Sequence, residues 1–191
     1  MMIFGAGILG EIVLEAARRA SVEVEGFLDD TREESDFAGL PVFSRLGDFQ
    51  KDGTSWSRGV FVAVGENRNR KKCVQTLVKF GVRNFPNIID PEATVFSSAT
   101  VGEGNLILPG AVIGPQSVLG SWNIFFPGVC LTHHNAVKDF CFFGPNASVG
   151  GYSTINDFCK LGMNSVVPPF LDIPSGTVGG PLSIIDGNVK Y

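Results

Sequence analysis

Several things are scarce in this 191-residue chain, and each scarcity removes a class of function. Long basic runs are missing: the fullest is Arg70-Lys71-Lys72, set against a net charge of −4. The electropositive footprint that nucleic acids require is therefore lacking, and no nucleic-acid partner is expected. No apolar stretch reaches the roughly 18 residues of a membrane span, so no membrane partner is expected either. The opening Met1-Met2-Ile3-Phe4 carries no basic region or cleavage site and reads as a first strand rather than a leader, which predicts a cytoplasmic location. Cys73, Cys130, Cys141 and Cys159 lack CxxC spacing; they read as small buried hydrophobes in a reducing compartment, and no metal site is expected. Histidine is scarce too. The chain has 2, side by side in 131-LTHHNAVKDFCFFG-144.

What is present falls into two halves with different periods. Over residues 1–85 strands and helices alternate. Met1–Phe4 reads as a strand, 8-ILGEIVLEAARRA-20 as a helix with Ile8, Ile12, Val13, Ala16 and Ala17 at helical spacing, and 22-VEVEGFLDD-30 as a strand. The segment 59-GVFVAVG-65 predicts another strand, 68-RNRKKCVQTLVKFG-81 a helix closed by a glycine, and 82-VRNF-85 a last strand. Residues 31–49 read as a surface connection, and Arg70-Lys71-Lys72 as a solvated helix face. The alternation predicts a small α/β domain with a parallel sheet. Gly5, Gly7 and Gly10 form GxGxxG between strand and helix, with Asp29 and Asp30 about twenty residues on. Alone this motif suggests NAD, but the half-chain is short for a dinucleotide fold.

From Ile89 the grammar changes. Every sixth residue is large and apolar: Ile89, Val95, Val101, Ile107, Ile113, Leu119, Phe125, Leu131, Val137, Phe143, Val149, Ile155, Leu161, Val167 and Ile173. Four residues after each stands a mostly small or polar residue, such as Ala93, Asn105, Asn123, Cys141 or Ser165. Glycine often follows the apolar position directly, as at Gly102, Gly114, Gly150 and Gly162, where it is expected to serve a tight turn. Such hexads define a parallel β-helix with three flat faces, in which residues 18 apart form columns. Asn105 and Asn123 share a column and predict an amide ladder; Cys141 and Cys159 share it too and predict stacked thiols rather than a disulfide. Three flat faces with several exposed phenylalanines invite trimer formation.

The order of these halves, with 3-IFGAGILGEIVLEAARR-19, 27-FLDD-30, 65-GENRNRKK-72 and 85-FPNIIDPEATV-95, resembles the NeuD/PglD-type nucleotide-sugar acyltransferases over almost the whole chain. The resemblance implies a Rossmann-like nucleotide-sugar-binding domain (1–85) followed by a left-handed β-helix acyltransferase domain (86–191). It implies an N-acyltransferase that uses acetyl-CoA, or another acyl-CoA, as co-substrate on a nucleotide-linked amino sugar, working as a homotrimer. A sugar O-acetyltransferase and a catalytically weak nucleotide-sugar-binding homologue are the alternatives. His133 aligns with the family's catalytic base, and imidazole suits the removal of an amine proton near neutral pH. His134 stands where the family has a carboxylate and is the second catalytic candidate, as a spacer or substrate contact. Gly5, Gly7, Gly10, Asp29, Asp30, Asn67 and Arg68 are the expected nucleotide-sugar contacts. Phe142 aligns with a second family histidine that meets the acyl donor. Gly151, one coil beyond His133, is expected to open a groove for the pantetheine arm of coenzyme A, and Gly162 and Gly180 to hydrogen-bond its amides. Leu9 replaces a family histidine, and a Gly-x-Pro-Ala tail motif is absent from 186-DGNVKY-191.

Overall fold

Met2–Phe4 forms β1, whose apolar run pairs in parallel with β2 (Gly26–Leu28) on one side and β5 (Val60–Val62) on the other. The computed structural model describes residues 1–44 and 59–189, which fall into two units, Met1–Ile88 and the chain from Ile89 onward. In the first unit, β3 (Asp36–Phe37) and β4 (Leu40–Phe43) complete a small sheet of order β3-β4-β2-β1-β5. Helix α1 (Ile8–Arg19) follows β1, and α2 (Asn67–Lys79) follows β5. The core gathers Ile3, Val13, Leu14, Ala17, Phe27, Phe61 and Leu77, all at most 1% exposed, so each of these side chains gives its full transfer free energy.

Three sequence expectations shift here. Residues 22–25 form no strand: the N-terminal ammonium donates to the Glu23 carbonyl (2.7 Å) and to Glu25 (3.1 Å), and the Glu25 N–H donates to the Met1 carbonyl at the edge of the ladder (2.9 Å). Residues 82–85 form no strand, because the Val82 N–H turns back to the Leu77 carbonyl at the end of α2. The expected surface connection 31–49 holds the β3–β4 hairpin, turned through Ala38 (φ 53°) and Gly39 (φ 78°), and β4 joins the parallel sheet beside β2. Both turn residues at positive φ fit a two-residue hairpin, although alanine there gives no sequence signal. Residues 45–49 of that segment lie outside the described residues.

The second unit is a parallel β-solenoid. Two-residue strands recur every six residues and stack into three sheets in which each residue pairs with the one 18 later, as in Val112↔Cys130↔Ser148↔Val166. All fifteen hexad residues join one core; those from Ile107 to Ile173 are buried, and Ile89, Val95 and Val101 of the first coil pack against them partly exposed. The small inward positions from Asn105 onward are buried with them, while Ala93 and Ala99 are partly exposed. The expected amide ladder takes another form: the Cys141 N–H donates to Asn123 Oδ1 (2.7 Å), and the Asn123 N–H to Asn105 Oδ1 (2.9 Å). Side-chain oxygens thus satisfy the backbone of the next coil. Cys141 and Cys159 are buried, form no disulfide, and donate to the carbonyls of Asn156 (3.1 Å) and Pro174 (3.2 Å).

The hexad glycines do not serve the turn. Positive φ falls two residues later, at Gly104, Gly110, Gln116, Trp122, Gly128, His134, Phe140 and Asn146. The hexad glycine is required because the next coil passes so close: a Cβ on Gly114 would overlap the Thr132 carbonyl, and one on Gly150 would overlap Pro169.

Candidate active site

Both histidines sit at one corner of the solenoid, exposed in the single chain, with the buried Leu131 before them and the buried Asn135 after. His134 occupies the left-handed turn position (φ 53°), and the same position one and two coils on is taken by Tyr152 (φ 60°) and Phe170 (φ 63°). These rings stack in a column: His134 on Tyr152 at 4.6 Å and Tyr152 on Phe170 at 5.4 Å between centroids. Offset stacking of this kind stabilises the corner beyond the area it buries. The backbone holds the column in step, since the His134 N–H donates to Pro115 O, the Tyr152 N–H to His133 O and the Phe170 N–H to Gly151 O.

The His133 ring lies over Gly151. A Cβ there would overlap the imidazole, with Nε2 at 2.7 Å and Nδ1 at 2.8 Å. Gly151 therefore makes room for the imidazole itself, where the sequence had suggested a groove for pantetheine. Beside it a cavity of about 500 Å³ is lined by Thr132, His133, Gly150, Gly151, Tyr152, Pro169 and Phe170. His133 Nδ1 and His134 Nδ1 are 3.2 Å apart, a hydrogen bond whose donor is set by the tautomers. Tyr152, Phe170 and Pro169 were not among the sequence candidates. The signal for the first two was their 18-residue spacing from His134.

The remaining acyl-donor candidates lie apart from this cavity. Phe142 is half-buried on a flat face, against Phe126 (5.2 Å) with the Lys160 ammonium 5.6 Å from its ring centre. Gly162 is committed to the fold: its N–H donates to Gly179 O, and its carbonyl accepts from the Ser165 N–H (3.2 Å) and hydroxyl (2.7 Å). Both of its polar groups are engaged within the solenoid. Gly180 faces open space, while its carbonyl accepts from Ser183 (2.7 Å).

In the first unit, the glycine loop is divided between architecture and access. A Cβ on Gly5 would meet the Ala63 carbonyl, and one on Gly10 would overlap the Gly5 carbonyl, so these two let strand, loop and helix close on each other. Gly7 is the N-cap of α1, makes no side-chain cap bond and has nothing within 4 Å of its missing Cβ. The first N–H groups of a helix have no intrahelical partner, so this end favours an anion. Beside it a cavity of about 480 Å³ is lined by Ala6, Gly7, Asp29, Thr31, Arg32, Glu33 and Glu34. Asp29 latches the loop, accepting from the Ala6 N–H (2.8 Å), the Thr31 N–H (3.0 Å) and the Thr31 hydroxyl (2.7 Å). Partial burial pushes its carboxyl up, but the Thr31 and Ala6 hydrogen bonds and the Arg32 charge together hold it below its ordinary value. Asp30 is exposed.

After β5, Glu66 caps α2 by accepting from the Arg68 (3.2 Å) and Asn69 (2.6 Å) N–H groups. Arg70, expected on a solvated face, is 1% exposed; its guanidinium donates to the Val64 and Gly65 carbonyls and to Asn67 Oδ1 (2.9 Å). Asn67 is thereby buried and held within the fold, whereas Arg68 is exposed. Among the described residues no three His, Cys, Asp or Glu side chains converge as metal ligands do, and no helix is long and apolar enough to cross a membrane.

A small parallel α/β unit followed by a hexapeptide-repeat solenoid, with an imidazole over a glycine at a corner cavity, defines a hexapeptide transferase architecture. The comparisons narrow this class. Residues 1–77 match the family model of the PglD N-terminal domain. Perosamine N-acetyltransferase from Caulobacter crescentus, a mutant in complex with CoA and GDP-perosamine, is 25% identical with a TM-score of 0.90 over 99% of this chain and 89% of that one. The acetyltransferase domain of PglB from Neisseria gonorrhoeae, in complex with acetyl coenzyme A, is 27% identical with a TM-score of 0.88 over 99% and 91%. WeeI from Acinetobacter baumannii, at 21% identity and a TM-score of 0.83 over 100% and 92%, shares the fold. No curated protein is a significant match to the sequence. Its first unit thus matches the PglD N-terminal domain, and the chain as a whole is similar to hexapeptide-repeat sugar N-acetyltransferases.

Proposed function

We propose that this chain is an acetyl-CoA-dependent N-acetyltransferase that acylates the amino group of a nucleotide-linked amino sugar. The observation that carries the reading is the His133 imidazole, seated over Gly151 at the edge of the corner cavity. The two most similar structures described above support it, since one holds CoA with GDP-perosamine and the other acetyl coenzyme A.

In this reading the sugar amine bonds to the thioester carbonyl carbon while its proton passes to His133. The C–S bond then breaks, and the departing thiolate recovers that proton. A positioned base of this kind contributes about 10²–10⁴-fold in rate. Charge on the thioester oxygen needs a donor at the same corner. The neighbouring N–H groups of Gly150 and Tyr152 are already given to the Val167 and His133 carbonyls, which leaves the Gly151 N–H for that role. Phe142 and Gly180 are assigned to coenzyme A through apolar contact and open backbone. In the first unit, taken as a Rossmann-like nucleotide-sugar domain over 1–85, Gly7 at the α1 N-terminus, Asp30 and Arg68 are assigned to phosphates, sugar and base. Gly5, Gly10, Asp29 and Asn67 shape that loop.

The same reading makes 86–191 a left-handed β-helix and the working species a homotrimer. Its cytoplasmic location is supported by four cysteines outside any disulfide. Calorimetric titration with acetyl-CoA, followed by thiol release with matched amino and hydroxy nucleotide sugars, tests the assignment. Amine-dependent release is the expected result; release with the hydroxy sugar alone would make it an O-acetyltransferase, and no coenzyme binding would leave a nucleotide-sugar-binding homologue.

A further inference from the structure

We infer that His134 is a positioning residue: it accepts the Nδ1 proton of His133 and so fixes the tautomer in which Nε2 is free to act as a base. This rests on the acyl-transfer reading and supplies what that reading lacks, a partner for the base. A carboxylate at position 134 would be a fixed acceptor with a negative charge. Imidazole is an ambidentate, neutral replacement, so something has to hold it in the accepting pose.

The structure provides the hold. His134 lies nearly parallel to Tyr152, with 23° between ring planes and 4.6 Å between centroids. Tyr152 in turn is stacked on Phe170 at 4°. The His133 ring stands almost perpendicular to both, at 84° to His134 and 80° to Tyr152, and is fixed on its other side by Gly151. Two rings crossed in this way, with Nδ1 atoms 3.2 Å apart, can share one proton along the line between them. If His133 donates, Nε2 bears a lone pair before the proton transfer and an N–H after it, and the bond to His134 persists unchanged through both states. If His134 donated instead, His133 Nε2 would already be protonated and could not accept. Tyr152 is the titratable group that packs on the pair from the next coil. One coil before, the register position is the uncharged Gln116, and Pro115 offers a carbonyl to the His134 backbone.

The direct test is ¹⁵N NMR of the two imidazoles in the full-length, ligand-free protein, assigned with His133→Asn and His134→Phe. The expected spectrum has His133 protonated at Nδ1 and bare at Nε2, with His134 bare at Nδ1. His134→Phe keeps a ring on Tyr152 at a positive-φ corner, as Phe140 and Phe158 show is tolerated, and should release His133 to the Nε2–H tautomer that free imidazole prefers. In turnover with acetyl-CoA and an amino nucleotide sugar, GDP-perosamine first, His134→Phe should lower kcat by about 10–100-fold with KM little changed. His134→Asn, whose Oδ1 stands where Nδ1 was, should restore most of the loss, and His134→Asp should move the acid limb of the pH–rate profile upward. A wild-type His133 carrying its proton on Nε2, or a His134→Phe protein with unchanged tautomer and kcat, would overturn the inference. Full activity in His133→Asn would instead sink the acyl-transfer reading; loss there with an innocuous His134→Phe sinks only the role of His134.

Discussion

The two units use similar residue types to opposite ends. In the α/β unit the residues that look most functional are consumed by the fold: Gly5 and Gly10 allow close approach, Asp29 ties the glycine loop, and Asn67 is held by the buried Arg70. In the solenoid the ladder satisfies the backbone coil by coil, so the imidazoles at a corner are not needed to pair it. His133 and His134 stand exposed at one such corner, with the His134 ring stacked on Tyr152. A glycine-rich motif in an α/β turn is architecture first, while an exposed polar pair on a repeating scaffold is the candidate for chemistry.

The largest expected effect attacks the solenoid corner. His133→Asn should reduce turnover by about 10²–10⁴-fold with the melting temperature and acetyl-CoA affinity nearly unchanged. Loss of binding instead of turnover would make the corner as structural as the α/β loop. The frame beneath is tested by Phe125→Ala, which removes a fully buried ring stacked on Phe143 at 4.7 Å and should cost about 3–5 kcal/mol in chemical denaturation. Gly151→Val should displace the imidazole rather than unfold the coil, because the obstructed group is an exposed side chain; kcat should fall about 10²-fold. A stability loss with kcat preserved would show Gly151 to be one more packing glycine.

The smallest effect belongs to the α/β unit. The folded Asp29 carboxyl lies below its ordinary value of 3.8, so its contribution is present above that pH and is lost as pH falls below it. Asp29→Asn should therefore flatten the acid side of the unfolding profile and cost about 1–2 kcal/mol near neutrality, a figure that allows for its partial exposure. An unchanged acid limb would mean that Asp29 is free for ligand.

The sequence made the solenoid legible almost to the residue, because a six-residue period sustained over fifteen positions has few physical solutions. The corner was legible only in part. His133 could be placed and Gly151 found by adding 18, but Tyr152 and Phe170 were hidden as ordinary aromatics until the turn position was located two residues past the hexad glycines. The α/β unit was harder. The β3–β4 hairpin turns through Ala38, which carries no turn signal, and Arg70 reads as surface charge until its guanidinium is seen capping the Val64 and Gly65 carbonyls. Short strands bordered by charge offer too little period to separate ladder from loop.

The claim at the centre is that a proton leaves a sugar amine through His133 as acetyl passes from coenzyme A. Thiol release measured against pH for wild type and His133→Asn, both first shown to bind acetyl-CoA, tests it most directly. The account predicts amine-dependent release whose acid limb vanishes with the imidazole, along with nearly all turnover. Equal release from both proteins, with the same pH dependence, would contradict it.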